Sequence, residues 1–379
     1  MDLQNKRHLS LVSEENNTMT SLNRIDQFAN KPVVLELKNL VVNFDVHGGQ
    51  VYAVRDVSFK VRAGECLCIV GESGSGKSVT VQAMMGLLPS PPAHIMGGQA
   101  LLGEVDLLKQ KGSERRKVLG KDIAMIFQDP LASLNPTMTV GEQIEETLKL
   151  HTDLNSKKRT ERVIEMLELV RIPEPQRRIS QYPHELSGGM RQRVMIAMAL
   201  ACNPKVLIAD EPTTALDVTI QAQILSLIKE LAQRLQMATV LITHDLGVVA
   251  QMADRVAVMY AGKIVEEGLV DEVFYETKHP YTLGLKRAMP KDSGSGSEPL
   301  QPIPGTPPDL FSPPPGCAFA ARCPSAMVIC HSHQSREVKV GNSRTTCWLH
   351  HPLASSNTAE TGVTLLRREV SATEGVNPR

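Results

Sequence analysis

The spacing of apolar and polar residues divides the chain into a structured middle and two polar ends. From Pro32 to about Met289, apolar runs of strand length alternate with stretches whose apolar residues recur at helical spacing. This alternation is typical of an α/β domain, in which helices cover a sheet. Residues 1–31 are polar and show no sustained periodicity, so we expect a flexible leader there.

Several individual elements of the α/β region have clear local signals. Ser187 is predicted to cap a helix that ends near Ala201, and Asp217 is predicted to cap another. Two apolar runs, 206–209 and 239–242, are predicted to be strands buried on both faces of a sheet. A third helix is indicated by four apolar residues at positions i, i+3, i+4 and i+7, namely Val163, Met166, Leu167 and Val170.

The last part of the chain changes composition twice. Nine of the 24 prolines fall within residues 290–316, around a Gly-Ser-Gly-Ser run, which predicts a linker that is partly stiff and partly loose. Residues 317–352 form a short module rich in Cys and His, and residues 353–379 are polar and predicted to be disordered. The predicted organisation is therefore one domain over 32–289 that is followed by a linker, a module and a tail.

Charge and hydropathy argue against several classes of protein for this chain. The 379 residues carry 41 Lys+Arg and 41 Asp+Glu, so no overall basic field attracts nucleic acid or anionic lipid. The longest strongly apolar stretch, 194–202, is much shorter than the roughly 20 residues of a membrane-spanning helix. The leader lacks the apolar centre of a signal peptide, and we therefore expect the protein to stay in the cytoplasm.

A phosphate-binding loop is the strongest chemical signal in the sequence. Residues 71–78 read GESGSGKS and match GxxxxGK[ST], between an apolar run and a helical pattern over 79–88. Backbone amides of such a loop converge on a β-phosphate, Lys77 adds positive charge, and the Ser78 hydroxyl can bind Mg²⁺. The predicted ATP-binding residues of this segment are Gly71, Ser73, Gly74, Ser75, Gly76, Lys77, Ser78 and Val79.

Four polar residues follow apolar runs at points where strands are expected to end. Asp210 and Glu211 place a carboxylate that can orient Mg²⁺ beside a possible general base. His244 ends another predicted strand, and Gln128 closes a third apolar run. Taken alone, Asp210-Glu211 is equally compatible with an ordinary turn. His244 alone is compatible with a structural histidine, and Gln128 alone with a loop amide.

The segment Leu186-Ser187-Gly188-Gly189-Met190 provides a second possible anion site, since its glycines open a predicted helix. The motifs occur in the order phosphate loop, Gln128, LSGG, Asp210-Glu211, Ala215-Leu216-Asp217 and His244. This series resembles the nucleotide-binding subunits of ABC transporters over about residues 33–270. LSGGM stands here where the family more often has LSGGQ.

The resemblance implies a fold and an assembly. The fold is a P-loop NTPase of the ABC nucleotide-binding type, with a RecA-like core, a helical subdomain and an antiparallel β subdomain, here followed by a small Cys-rich module. Two such subunits form a head-to-tail dimer in which ATP lies between the phosphate loop of one and the LSGG helix of the other. The residues expected to contact the facing subunit's ATP are Ser187, Gly188, Gly189 and Asp217.

The resemblance also implies catalytic and metal-binding roles. Ser78, Gln128 and Asp210 are expected around Mg²⁺, with Gln128 also sensing the γ-phosphate and coupling to the membrane partner. Glu211 is expected to be the catalytic base for ATP hydrolysis, and His244 to contact the γ-phosphate. For adenine stacking the candidate is Phe44, with Tyr52 as an alternative; a core or surface position for Phe44 also remains open.

Three further segments resemble the oligopeptide/dipeptide importer subfamily. They are residues 126–136 (IFQDPLASLNP), residues 182–200 (YPHELSGGMRQRVMIAMAL) and residues 279–282 (HPYT). Its ATPases usually pair with a second, homologous ATPase at the cytoplasmic face of the membrane. They sit beneath two transmembrane permeases that are fed by an extracytoplasmic binding protein. Relatives carry nickel or glutathione, so these cargoes remain alternatives. A soluble ABC ATPase that acts on nucleic acid or ribosomes is disfavoured, because residues 79–186 hold no long coiled coil.

Four of the seven cysteines lie close together in sequence. Cys317, Cys323, Cys330 and Cys347 are spaced C-x5-C-x6-C-x16-C, with several histidines nearby. Such thiols suit Zn²⁺ or an iron–sulfur cluster, and the spacing alone does not choose between them or exclude incidental thiols. In the importer subfamily such a tail resembles one that holds a [4Fe–4S] cluster, which makes that group the preferred hypothesis and Zn²⁺ the alternative.

Overall fold

A computed structural model describes residues 28, 30–214, 216–289, 301–352 and 354. The predictions of a flexible leader and a disordered tail fall almost entirely outside these residues. The same holds for Ala215 and for the first part of the predicted linker, 290–300.

A four-stranded antiparallel sheet is built from the first part of the described chain. Its two long strands, β1 (Val33–Val46) and β2 (Gly49–Arg62), form a hairpin. The strand β4 (Ala93–Leu102) pairs with the other side of β1, and the short β5 (Val105–Asp106) completes the order β2-β1-β4-β5. This sheet lies where the resemblance places the antiparallel β subdomain.

The main sheet has eight strands, and five of them, β9-β3-β8-β7-β6, run parallel. Parallel strands bring their carboxyl ends to one edge, and ligands of open α/β sheets bind there. The phosphate loop, Gln128, Asp210-Glu211 and His244 all lie at or just after strand ends at this edge. From edge to edge the strands are β11 (Val338–Val340), β12 (Ser343–Thr345), β10 (Lys263–Leu269), β9 (Arg255–Tyr260), β3 (Cys66–Val70), β8 (Ala238–Thr243), β7 (Val206–Asp210) and β6 (Ile123–Ile126).

The helices confirm most of the predicted starts. Ser187 and Asp217 both accept a hydrogen bond from the backbone of the helix they precede, as predicted for N-caps. The helix after the phosphate loop is shorter than the 79–88 pattern, because Gly86 ends it in a left-handed conformation with φ of +66°. The helices are α1 (Lys77–Met85), α2 (Gly112–Val118), α3 (Pro130–Ser133), α4 (Val140–His151), α5 (Ser156–Leu169), α6 (Pro175–Arg178), α7 (Gly188–Leu200), α8 (Val218–Arg234), α9 (Leu246–Met252), α10 (Val270–Tyr275), α11 (Pro280–Arg287) and α12 (Val328–Ser332).

Two hydrophobic cores flank the main sheet because its strands are apolar on both faces. Along β7, Leu207 and Ala209 pack with the helices, whereas Val206 and Ile208 pack toward the antiparallel sheet. Successive strand residues point to opposite faces, so an uninterrupted apolar run fills both cores. The prediction that 206–209 and 239–242 are strands buried on both faces is confirmed.

The chain after residue 300 packs onto the rest of the structure. The hairpin of β11 and β12 joins the main sheet, because β12 pairs with β10. The amide of Tyr52 in β2 donates to the carbonyl of Leu310 at 2.9 Å. The proposed division at 290–316 and 317–352 stays a prediction. Among the described residues, no helix is long and apolar enough to cross a membrane.

Candidate functional site

The phosphate loop connects the end of β3 to the start of α1. Two of its glycines are required by close backbone contacts with neighbouring strands. A Cβ on Gly71 would lie 2.1 Å from the carbonyl oxygen of Met259 in β9, and one on Gly76 would lie 2.4 Å from that of Ala53 in β2. Gly76 also has φ of +99°, which side chains rarely adopt. The loop is therefore packed tightly against β2 and β9.

Lys77 is buried under the loop that it follows. Its Nζ donates to the carbonyl oxygens of Gly71 at 2.8 Å and Glu72 at 3.0 Å. Burial lowers the pKa of Lys77, although the nearby carboxylates, Glu211 and Asp210 first among them, oppose that shift. The ammonium group thus lies within the curve of the loop, where phosphate oxygens can replace its carbonyl partners.

Ser78 and Asp210 meet at the carboxyl edge of the main sheet. The Ser78 hydroxyl donates to Asp210 Oδ1 at 2.8 Å. Burial raises the pKa of Asp210 despite this hydrogen bond. A hydroxyl and a buried carboxylate at hydrogen-bond distance fit Mg²⁺, because the cation compensates the charge that burial disfavours.

Glu211 is the centre of a second group at this edge. Its Oε2 accepts from the Gln128 amide at 3.1 Å and from the Thr214 hydroxyl at 3.0 Å, and its Oε1 lies 3.1 Å from His244 Nδ1. Partial burial acts to raise the pKa of Glu211, but the bonds from His244 and Thr214 and the charge of Lys77 outweigh it and lower the pKa. The group is thus held as a carboxylate, the form that accepts a proton.

The Ser187 turn lies against a different part of the same chain. Ser187 Oγ accepts from the Met190 amide at 3.4 Å, and a Cβ on Gly189 would lie 3.0 Å from Ile220 in α8. From α7, Gln192 donates to the Pro212 carbonyl at 2.6 Å, just after Glu211. Among the described residues, no hydrogen bond joins Ser187 to the phosphate loop. Within the described residues the two predicted anion sites therefore share no hydrogen bond.

Comparison with known proteins assigns this site to a family. Residues 54–214 match the family described as ABC transporter, and residues 265–330 match the C-terminal region of oligopeptide/dipeptide transporters. The oligopeptide transport ATP-binding protein OppD of Bacillus subtilis is 56% identical over 84% of this chain and 89% of its own length. The dipeptide transport protein DppD of the same species is 55% identical over 83% of this chain and 94% of its own length. The chain belongs to the ABC transporter family.

Solved structures agree with this assignment. The dimeric ATP-binding cassette MJ0796, in a post-hydrolysis state with ADP and Pi, is 29% identical, with a TM-score of 0.56 over 62% of this chain and 98% of its own. CbiO1 from Clostridium perfringens, part of an ABC transporter complex, is 28% identical, with a TM-score of 0.54 over 65% of this chain and 92% of its own. This ABC subunit is accordingly an ATPase, and the family inferred from its motifs is confirmed.

Aromatic residues of this ABC ATPase gather near the tip of the β1–β2 hairpin. Phe44 is half-buried and packs against the core that lies toward the antiparallel sheet, whereas Tyr52 is more exposed. Phe311, which the sequence analysis did not consider, lies against Gly48 and Gly49, so that a Cβ on Gly49 would be 2.7 Å from its ring. The assignment of Phe44 to adenine stacking stays a prediction.

The predicted metal cluster is not assembled in the described residues. Among them, no group of three or more His, Cys, Asp and Glu side chains could hold a metal ion. The four thiols are nevertheless close enough to influence one another. Burial, and then the proximity of Cys317 and Cys330, raises the pKa of Cys323 to about 11. The pKa of Cys347 is raised to about 12 in the same way.

The cysteines outside the tail differ in burial. Cys68 in β3 is fully buried. Cys66 and Cys202 are only half-buried and pack at the margin of the core. All seven are free thiols.

Sequence reasoning missed three contacts around the site, two of them from residues far along the chain. Thr214 bonds to Glu211, Tyr281 accepts a hydrogen bond from the Glu72 amide at 2.8 Å, and Arg322 contacts the Glu72 carboxylate. Tyr281 belongs to the HPYT segment that was noted only for its family resemblance. No spacing links residues 72 and 322, so no local signal pointed to their contact.

Proposed function

We propose that this chain energises the uptake of oligopeptides or dipeptides as the ATPase subunit of an ABC importer. Its extensive identity with OppD and DppD of Bacillus subtilis carries the proposal, since more than half of the aligned residues are identical over most of both chains. The match of 265–330 to the C-terminal region of oligopeptide/dipeptide transporters adds support beyond the ATPase core. Nickel and glutathione are the alternative cargoes.

We assign ATP binding to the phosphate loop and its neighbours. Lys77 neutralises the β- and γ-phosphates, and the loop amides between Gly71 and Gly76 cradle them. Ser78 and Asp210 hold Mg²⁺, with Gln128 beside them. The metal screens phosphate charge when bound. The burial of Lys77 and Asp210 strengthens these electrostatic contacts, because little water competes for either group.

We assign hydrolysis to Glu211. Its carboxylate accepts the proton of the attacking water, and its lowered pKa keeps it ionised at neutral pH. His244 and Gln128 hold its two oxygens in place, so that the carboxylate is oriented before ATP arrives. His244 then contacts the γ-phosphate from the same edge of the sheet.

We propose that the second anion site acts on a facing subunit. Ser187 and Gly188 are exposed at the start of α7, and Asp217 starts the neighbouring α8. Free amides at a helix start stabilise negative charge, so this surface suits the γ-phosphate of ATP bound by a partner. The partner is a second, homologous ATPase, and the pair sits at the cytoplasmic face of the membrane beneath two permeases. An extracytoplasmic binding protein delivers the cargo to these permeases.

Reconstitution tests the cargo directly. The complete complex, with both ATPases and both permeases in proteoliposomes, should hydrolyse ATP faster when a binding protein loaded with a mixed peptide library is added. The Glu211→Gln complex should bind the same binding protein without stimulation. Stimulation by nickel or by glutathione, with none by peptides, would overturn the peptide assignment and leave the ATPase assignment standing.

We also propose that Cys317, Cys323, Cys330 and Cys347 bind a [4Fe–4S] cluster, with Zn²⁺ as the alternative. Cysteine thiolates are the donors that either metal centre requires, and the other three thiols lie close enough to Cys347 to raise its pKa. Iron, acid-labile sulfide and zinc analysis of anaerobically purified protein tests this. Equimolar zinc would replace the cluster assignment, and the absence of all three would reject both.

A further inference from the structure

Arg322 forms an ion pair with the phosphate loop. Its Nη1 and Nη2 donate to the two carboxylate oxygens of Glu72 at 2.7 and 2.9 Å, in the planar two-bond arrangement that a guanidinium group favours. The Arg322 side chain is only 5% exposed. It also donates to the carbonyls of Pro304 at 3.0 Å and Ile303 at 3.3 Å. Arg322 thus connects Glu72 to the chain that follows residue 300.

The backbone of Glu72 is held by a second residue from the C-terminal part of the chain. Its amide donates to the Tyr281 hydroxyl at 2.8 Å. The Tyr281 ring packs against Tyr260 and Phe319, with ring centres 4.5 and 5.4 Å apart. Phe319 and Arg322 belong to the same short turn between Cys317 and Cys323. The amide and the carboxylate of Glu72 are therefore fixed by residues that lie beyond the segment 54–214, which matches the ABC transporter family.

This contact bears on phosphate binding because of the charge of Glu72. The residue is part of the loop that surrounds the triphosphate, and its carbonyl already accepts a bond from Lys77. An unpaired carboxylate in this loop repels a polyanion and competes with it for the Lys77 ammonium. When Arg322 pairs with this carboxylate, it neither repels the polyanion nor competes for Lys77. The ion pair also attaches the loop to the C-terminal part of the chain.

We propose that Arg322 is a positioning residue of the ATP site, which neutralises Glu72 and holds the phosphate loop in its binding conformation. The affinity for ATP consequently depends on the packing of the C-terminal segment. The proposal rests on the role assigned above to the phosphate loop, and it is independent of the transported cargo.

The test measures binding of a fluorescent ATP analogue to the purified full-length chain, with and without Mg²⁺. Arg322→Gln should raise the Kd roughly tenfold, and in the ATPase assay it should raise KM more than it lowers kcat. Arg344→Gln is the matched control, since Arg344 pairs with Glu267 and Glu337 in the same C-terminal segment, away from the loop. It should leave the Kd unchanged. An unchanged Kd in Arg322→Gln would overturn the proposal.

Two further variants separate a charge effect from a general loss of structure. Glu72→Gln in the Arg322→Gln background should restore affinity toward that of the unchanged protein, because no carboxylate is left unpaired. Arg322→Lys should restore part of it. If Arg322→Gln does not fold, Arg322→Lys decides, because lysine keeps the charge but loses the two-bond pairing: weaker ATP affinity supports the proposal, and unchanged affinity overturns it. Lys77→Ala tests the role of the phosphate loop itself. If this variant binds ATP as tightly as the unchanged protein, the ATP-site assignment fails independently of the proposal for Arg322.

Discussion

The helices α1 and α7 both begin with backbone amides that can bind an anion. They differ in how many further polar groups lie beside those amides. At α1, Lys77 and Ser78 are already hydrogen-bonded to the loop and to Asp210, and Gly76 is buried. At α7, Ser187 and Gly188 are exposed, and the cap bond of 3.4 Å is longer than a good hydrogen bond.

The difference is in which polar groups each helix start brings together. At α1 an ammonium group, a hydroxyl and carboxylates lie within one hydrogen-bonded region, which suits the nucleotide-binding role proposed for it. The α7 site has helix amides and a hydroxyl but no cation among its hydrogen-bond partners in the described part of the chain. This contrast fits the proposal that α7 acts on ATP bound by another subunit.

The largest expected effect is at the α1 site. Glu211→Gln should lower ATP turnover of the assembled transporter by about 100- to 10,000-fold, because the amide accepts no proton from water. ATP binding should persist, since Lys77 and Ser78 are unchanged. Phosphate release at saturating ATP measures the loss. Glu230→Gln, which breaks an exposed ion pair with Arg171, is the control and should be neutral. Turnover near that of the unchanged protein in Glu211→Gln would reject the base assignment.

Lys77→Ala tests whether the α1 site binds alone. Loss of a charged donor should weaken ATP binding by roughly 10- to 100-fold, measured by equilibrium titration of the isolated chain. Lys229→Ala removes a half-buried lysine of α8 whose Nζ donates to the Gln251 carbonyl, and it should not change affinity. Equal affinities in the two variants would contradict the role of Lys77.

Gly188→Ala tests the dependence of the α7 site on a partner. The new methyl group would meet Leu216 at an ordinary 3.9 Å, so the fold should tolerate it. A phosphate approaching α7 would collide with it, and ATP-dependent dimerisation in a Glu211→Gln background should weaken about tenfold. Sedimentation velocity with ATP measures this.

Gly97→Ala is the matched control, because a Cβ there enters open space. It should leave dimerisation unchanged. If Gly188→Ala dimerises as tightly as Gly97→Ala does, α7 does not face the nucleotide of a partner.

The last prediction concerns the folding stability of the support behind the phosphate loop rather than nucleotide binding. Burial, and to a lesser degree His350, lowers the pKa of His279 to about 3, and its Nδ1 accepts from the Tyr281 amide at 3.0 Å. Below the ordinary pKa of histidine the unfolded chain binds a proton that the folded chain does not. The free energy of unfolding should thus fall by up to ~1.4 kcal/mol per pH unit as the pH decreases from about 6.5 toward 3.

Urea unfolding between pH 4 and 7 measures this slope. His279→Asn keeps a side-chain acceptor at the helix start and should show a shallower pH dependence. His331→Asn replaces an exposed histidine and should keep the slope of the unchanged protein. Identical slopes in all three proteins would show that His279 is not buried in its neutral form.

Much of this protein could be predicted from local sequence. The phosphate loop, the caps Ser187 and Asp217, and the strands before Asp210 and His244 all depend on residues within a few positions of one another. Backbone sterics, helix capping and strand burial act over that range, so their signals are readable in one sequence. The parallel sheet then brings the strand ends together by topology alone.

Other features were decided only by the tertiary structure. The bonds from Gln128 and His244 to Glu211, the attachment of β12 to β10, and the pairing of Arg322 with Glu72 join residues that lie far apart in sequence. Such contacts form because packing of the whole chain leaves a buried charge or an open sheet edge that one distant group can satisfy. Local sequence by itself was enough to predict the phosphate loop and the ATPase family, whereas the folded chain determined which distant residues contact that loop.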